Sequence, residues 1–160
     1  MERFDYIPPV SFSAPRVPGL VISEVDMDAL ERIREMNRTI FREERVINTF
    51  QRDDVLMLEA RVDDMPVGFK IGYRESRHTF YSAKGGVLPE YRRRGIAIAL
   101  LEQMMRLAKD RGYRHFAFDT FPNLHPGMTI LALECGFQLV KSDFNSLYRE
   151  YRLRFERKLG

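Results

Sequence analysis

One stretch limits the fold more than any other: residues 94–111 read as a single long amphipathic helix set between two strand-like runs. Within it Ala97, Leu100, Leu101, Met104, Leu107 and Ala108 recur at steps of three and four on one side, and Gly112 is placed to stop it. Residues 78–88 before it and 114–121 after it have strand composition. Two strands joined by one helix lie parallel in a sheet, and the connection between them is right-handed. Every other element has to be arranged around that crossover.

Upstream, residues 19–25 read as a short first strand, followed by a helix that Asp26 or Asp28 can cap and whose apolar face is Met27, Leu30, Ile33, Met36 and Ile40. A second helix is expected over residues 41–50. Residues 55–62 and 67–73 form a hairpin around Asp63-Asp64-Met65-Pro66. In its second arm Val67, Phe69, Ile71 and Tyr73 alternate with Gly68, Lys70 and Gly72, so one face packs and the other meets solvent or a neighbour. The strand at 78–88 contains Gly85-Gly86, which marks a bulge or a close approach to the backbone. Downstream, Pro126 opens a shorter helix ending at Cys135 with Gly136 as its stop, and strands follow at 137–141 and 147–155. The order predicts a single-domain α/β fold: a mixed, mostly antiparallel sheet with a parallel pair at its centre, flanked by about four helices. Residues 1–18, with Pro8, Pro9, Pro15 and Pro18, read as an extended arm ahead of a domain at 19–160.

Composition narrows the functional classes. A chain of 160 residues suits one domain, and 44% hydrophobic with 31% charged residues is ordinary globular usage. The longest apolar run is Ile96 to Leu101, too short to span a bilayer, and the charged start Met1-Glu2-Arg3-Phe4-Asp5 lacks a secretory apolar segment. With a single cysteine, Cys135, these features lead us to expect a cytoplasmic protein with no membrane partner. The net charge is +3, with 26 basic residues offset by 23 acidic ones, which argues against a nucleic-acid surface. His78, His115 and His125 do not fall at ligand spacings with Cys135 or with paired carboxylates, so no metal is expected. There is no nucleotide P-loop run and no nucleophile-elbow serine.

One charge cluster needs a special account. Arg92-Arg93-Arg94 is followed by Gly95-Ile96-Ala97 and then by the long helix. A helix N-terminus offers four unpartnered N–H groups and a positive dipole end, which suits a diphosphate. Small residues at Gly95 and Ala97 let phosphate reach that backbone, and the arginines add charge at the rim.

The run Gly86-Val87-Leu88-Pro89-Glu90-Tyr91-Arg92-Arg93-Arg94-Gly95-Ile96-Ala97 resembles the acetyl-CoA signature of the GCN5-related N-acetyltransferases (GNAT), Gln/Arg-x-x-Gly-x-Gly/Ala. Ala132-Leu133-Glu134-Cys135-Gly136-Phe137 is similar to a helix ending common in that family, and the order of elements from Gly19 onward fits it. The resemblance implies a V-shaped split between the strands at 78–88 and 114–121, holding the pantetheine arm of acetyl-CoA. It implies that backbone groups of Val87 and Leu88 pair with pantetheine and polarise the thioester, and that Arg92, Arg93, Arg94, Gly95, Ile96 and Ala97 hold the pyrophosphate. The reaction implied is acetyl transfer to a primary amine of a small molecule or peptide by direct attack. Where the family often carries a basic glutamate this chain has Tyr81, so water relayed by Tyr81, Glu59 or Asp119 is the expected base. Where relatives carry an acidic tyrosine this chain has Ala132, which leaves the general acid unassigned. The asparagine that contacts pantetheine is displaced: Asn123 is the candidate, and His125, at the usual spacing, can instead cap the helix at Pro126. Glu31, Glu35, Glu43 and Glu44 border the expected acceptor side. The alternative on the same fold is a catalytically weak CoA sensor or interaction module. Dimerisation through the last strand or the arm is left open.

Overall fold

The computed structural model describes residues 17–160, so all of the expected arm except Val17 and Pro18 lies outside the described residues. The elements are β1 (Leu20–Val25), α1 (Leu30–Phe41), β2 (Leu56–Val62), β3 (Met65–Arg74), β4 (Thr79–Val87), α2 (Ile96–Asp110), β5 (His115–Thr120), α3 (Pro126–Glu134), β6 (Gln138–Asn145) and β7 (Glu150–Lys158). Short 3-10 turns precede α1 at Met27–Ala29 and follow β4 at Pro89–Tyr91. The seven strands form one sheet in the order β1-β2-β3-β4-β5-β7-β6. All neighbours are antiparallel except β4 and β5, the pair that α2 connects.

That parallel pair is short. Its ladder runs from Thr79 opposite His115 to Ser82 opposite Phe118 and stops, while β4 continues to Val87 and β5 to Thr120. Beyond Ser82 the sheet is therefore split. α1 covers one face, where Ala29, Ile33 and Met36 pack on Met57, Phe69 and Ile71. α2 and α3 cover the other, where Leu100, Leu101, Met104 and Ala132 join Leu58, Phe80, Phe116, Phe118 and Phe155. A sheet sandwiched in this way removes the apolar surface of both faces from water, which is the main stabilising term.

Several expectations are corrected. No helix forms over residues 41–50: α1 ends where Arg42 takes a left-handed φ of 56°, and the amide of Asn37 donates to the carbonyls of Glu43 (2.8 Å) and Arg45 (3.4 Å). The apolar residues of that stretch, Val46, Ile47 and Phe50, plug the α1 core as an irregular loop, so among the described residues three α-helices flank the sheet where about four were expected. The bulge in β4 falls at Ala83, left without a partner between Lys84 opposite Ile71 and Ser82 opposite Gly72. Gly85 and Gly86 instead allow close approach. A Cβ on Gly86 would stand 3.0–3.1 Å from Ile40 and Phe41. For the face of Gly68, Lys70 and Gly72, where solvent or a neighbour was expected, the structure has the neighbour: β3 is buried on both faces. In the last hairpin Asn145 accepts from the Tyr148 N–H (3.0 Å) and Arg149 turns at φ 53°, so Leu147 is exposed in a turn and β7 begins at Glu150. No helix among the described residues is long and apolar enough to cross a membrane.

Candidate active site

The backbone of β4 sets the chemistry of the split. Leu88 donates its N–H to the Val67 carbonyl of β3 at 2.8 Å. Adjacent peptide groups in a strand point to opposite edges, so the N–H groups of Val87 and, two residues earlier, Gly85 point away from β3 and into the split. The Leu88 carbonyl already accepts from the Tyr91 N–H at 2.9 Å. Of the two backbone positions expected to meet pantetheine, Val87 is presented for it and Leu88 has no free N–H. Gly85, expected to mark a bulge or a close approach to the backbone, is presented like Val87.

The three arginines do different things. Arg92 donates from Nε to the Val87 carbonyl at 3.1 Å, tying the loop back to β4. The Arg94 guanidinium lies 5.4 Å from the ring centre of Tyr91, a cation–π distance. Arg93 is exposed and takes a left-handed φ of 62°, and Gly95 follows at φ 85°. Those two positive φ values turn the chain sharply into α2. Gly95 is the N-cap residue and no side chain caps the helix, so the first-turn N–H groups of Ile96 and Ala97 have no side-chain partner. Ile96 is buried as an anchor while Ala97 is exposed, and nothing stands within 4 Å of a Cβ built on Gly95. The result is an open, cationic backbone cradle at the mouth of the split.

On the α1 face, at the apex of the split, the Tyr81 hydroxyl donates to Asp119 Oδ2 at 2.6 Å. Burial first, and then the Asp119 carboxylate, push the Tyr81 phenol well above its ordinary range, so Tyr81 stays protonated and serves as a donor. Arg154 stacks on the Tyr81 ring at 5.8 Å and pairs with Glu75 and Glu156, while Arg152 pairs with Asp143. Asp119 and Arg154 are opposite one another in the β5–β7 ladder. Among the described residues no helix lies over this part of the face, and its half-buried side chains form a polar floor.

The structure separates Glu59 from this group. Its carboxylate is 1% exposed and accepts from Arg32 Nε at 3.0 Å and Arg61 Nε at 2.7 Å. Burial alone raises its affinity for a proton, but the two arginines more than offset that and hold the carboxyl below its usual range. It borders a groove of about 450 Å³ near β1, lined also by Ser23, Arg61 and Asp64 and by none of the other candidates. Glu59 is thus occupied in tying α1 to the sheet. Asn123 is exposed and donates to Glu150 Oε2 at 3.3 Å. His125 holds the N-cap position of α3 without a side-chain cap bond, its ring set edge-on to Phe41 at 6.2 Å. Ala132 is fully buried in the core. Of the acceptor-side carboxylates, Glu43 pairs with Lys84, Glu44 with Arg38 and Glu31 with Arg34. Among the described residues no group of three His, Cys, Asp or Glu side chains is placed to hold a metal ion.

A mixed sheet split between two parallel strands, with an uncapped helix N-terminus at its mouth, is built to receive a long, diphosphate-bearing ligand edge-on. The acetyltransferase (GNAT) domain family matches residues 26–122. The chain therefore belongs to the GNAT acetyltransferase family. No curated protein sequence matches the chain. Among solved structures, it is similar to the ribosomal-protein-S18-alanine N-acetyltransferase from Escherichia coli (16% identity over 88% of this chain and 94% of that one, TM-score 0.76). The IAA acetyltransferase from Bacillus cereus ATCC 14579 gives 20% identity over 87% of this chain and 99% of that one, with a TM-score of 0.76. An aminoglycoside 6'-N-acetyltransferase complexed with coenzyme A gives 14% identity over 88% and 97%, with a TM-score of 0.71. At these identities the likeness is one of fold.

Proposed function

We propose that the chain is an N-acetyltransferase that uses acetyl-CoA to acetylate a primary amine of a small molecule or peptide. The observation that carries the reading is the uncapped first turn of α2 behind Gly95, at the mouth of a split into which Val87 and Gly85 direct free N–H groups. Both features suit the cofactor: the cradle would hold the pyrophosphate and the strand edge the pantetheine amides. When bound, acetyl-CoA supplies a thioester whose acetyl group an amine can take.

The chain's own residues then have distinct tasks. Backbone groups of Arg93, Arg94, Gly95, Ile96 and Ala97 hold the diphosphate, with Arg92, Arg93 and Arg94 at the rim. The Val87 and Gly85 N–H groups are aimed where negative charge develops on the acyl oxygen, a contact whose loss costs roughly 3 kcal/mol of barrier in other enzymes. The amine must be neutral to attack, and its proton leaves through a water held by Asp119, which the Tyr81 hydroxyl fixes in place. Overall the N–C bond forms, the C–S bond breaks, the nitrogen loses one proton and the thiol gains one.

The test is thiol release from acetyl-CoA with a panel of amines spanning amino acids, polyamines, aminoglycosides and peptide N-termini. Turnover with at least one class supports the reading. Tight coenzyme A binding with no turnover on any amine would favour the sensor reading of the same fold.

A further inference from the structure

Five polar or charged side chains are buried among the described residues: Asn37, Glu59, Lys70, Ser82 and Thr120. Asn37 donates to loop carbonyls and Glu59 is paired with two arginines. Lys70 differs from both. It is 7% exposed, and burial alone acts on its ammonium, with no carboxylate or hydrogen-bond acceptor among the described residues offsetting it. Its stem is buried while its Nζ makes no hydrogen bond among the described residues and is not sealed from water, so the ammonium is available to a group that enters beside it.

The geometry says where. Lys70 stands opposite Gly85 in the β3–β4 ladder. Its Cγ and Nζ lie 3.2 and 3.4 Å from where a Cβ on Gly85 would be, so the side chain runs across β4 over the glycine, toward the split. Along β3 it is flanked by Gly68 and Gly72, which Leu100 and Met104 of α2 approach. It therefore reaches the split on the side of α2 and α3, beside the backbone N–H groups of Gly85 and Val87. That side carries Leu58 on β2, Ser82 on β4 and Phe118 and Thr120 on β5, none of them charged. On α3, Ala132 offers only a methyl group.

We infer that Lys70 is the general acid that protonates the departing coenzyme A thiolate, an inference that rests on the acetyl-CoA reading above. As the C–S bond breaks its electron pair stays on sulfur, one proton moves from Nζ to that sulfur, and Lys70 is left as a neutral amine. Solvent returns the proton before the next turnover. Burial lowers the Lys70 ammonium to about 8, close to the ~8.5 of an ordinary thiol, so the group is charged at neutral pH and releases its proton readily.

The experiment compares the wild type with Lys70→Met, which keeps the length of the side chain and removes its charge. Coenzyme A binding is measured by calorimetry, and the thiolate of bound coenzyme A is titrated by its ultraviolet absorbance. The expected result is binding by both proteins, with the thiol of the variant titrating about one pH unit higher, since a nearby positive charge shifts such groups by ~1–3 units. The kcat of the variant should fall about 100-fold, and the decline above pH ~8 expected of the wild type should be absent from it. Identical thiolate titrations in the two complexes would overturn the role of Lys70. Failure of the wild type to bind coenzyme A would overturn the acetyl-CoA reading itself, and the two failures are distinct. Should Lys70→Met not fold, carbon NMR of the lysines in the wild type gives the same decision. One lysine should titrate near 8 and move upward when coenzyme A is added; no such movement contradicts the assignment.

Discussion

Tyr81 and Asp119 meet where the parallel ladder ends, and their hydrogen bond defines what each can do. A phenol held protonated by burial and a neighbouring carboxylate cannot accept a proton from the acceptor, so in the proposed reaction the role of base falls to Asp119 through water. Asp119→Asn is expected to lower kcat about 100-fold with little change in KM for acetyl-CoA, and Tyr81→Phe to lower it less, because only the first removes the acceptor of the proton. Steady-state kinetics against pH check this; an unchanged kcat in Asp119→Asn would remove Asp119 from the mechanism. Glu59 makes the opposite case, a carboxylate spent on stability. Its folded-state proton affinity is depressed, so its contribution is fully present above the unfolded carboxylate range and is lost as pH falls through the folded value. Its arginine partners are partly exposed, which places the cost of Glu59→Gln at about 2 kcal/mol at pH 7, below the ~3–5 of a fully buried pair. Urea titrations should show that gap narrowing as the pH falls below the ordinary carboxylate range, since the wild-type carboxyl is protonated only further down. A gap that is constant with pH would contradict the ion-pair account.

The unit that makes the site is β4, the loop after it and α2. Its main lines are legible in the sequence because helical periodicity over Leu100, Leu101, Met104 and Ala108 and the small residues Gly95 and Ala97 are local signals. What was not legible depends on partners far along the chain. The bulge sits at Ala83 rather than at the glycines because the β3 register decides it, and no local residue type marks that position. The side chain of Lys70 crosses Gly85 only once β3 and β4 are paired. The expected helix over residues 41–50 failed because Asn37 and the left-handed Arg42 end α1, and the apolar residues beyond serve the core from a loop. At this scale the account predicts that Gly95→Glu abolishes coenzyme A binding. The open space around Gly95 admits a side chain, yet its φ of 85° strains any residue with a Cβ by about 1–2 kcal/mol. Circular dichroism should show the fold kept with a modestly lowered melting temperature, while calorimetry shows no binding. Retained affinity would mean that the first turn of α2 is not the cradle.

As a whole the molecule is a sheet with two unlike faces meeting at one split. α2 and α3 cover the face from which Val87 and the cradle are reached, and among the described residues α1 covers only part of the other, with the half-buried Tyr81, Asp119, Arg152 and Arg154 beyond it. In the proposed reaction a long ligand enters from one face and an amine approaches from the other, and the short parallel ladder lets them meet. The polar floor explains why the acceptor was not readable from the sequence. Its residues come from β4, β5 and β7 and are brought together only by the strand order. Whether this split holds acetyl-CoA is decided by calorimetric titration of the protein with acetyl-CoA. One molecule should bind per chain, with a negative heat-capacity change from burial of the pantetheine arm. No measurable heat of binding at any temperature, in protein shown to be folded, would contradict it.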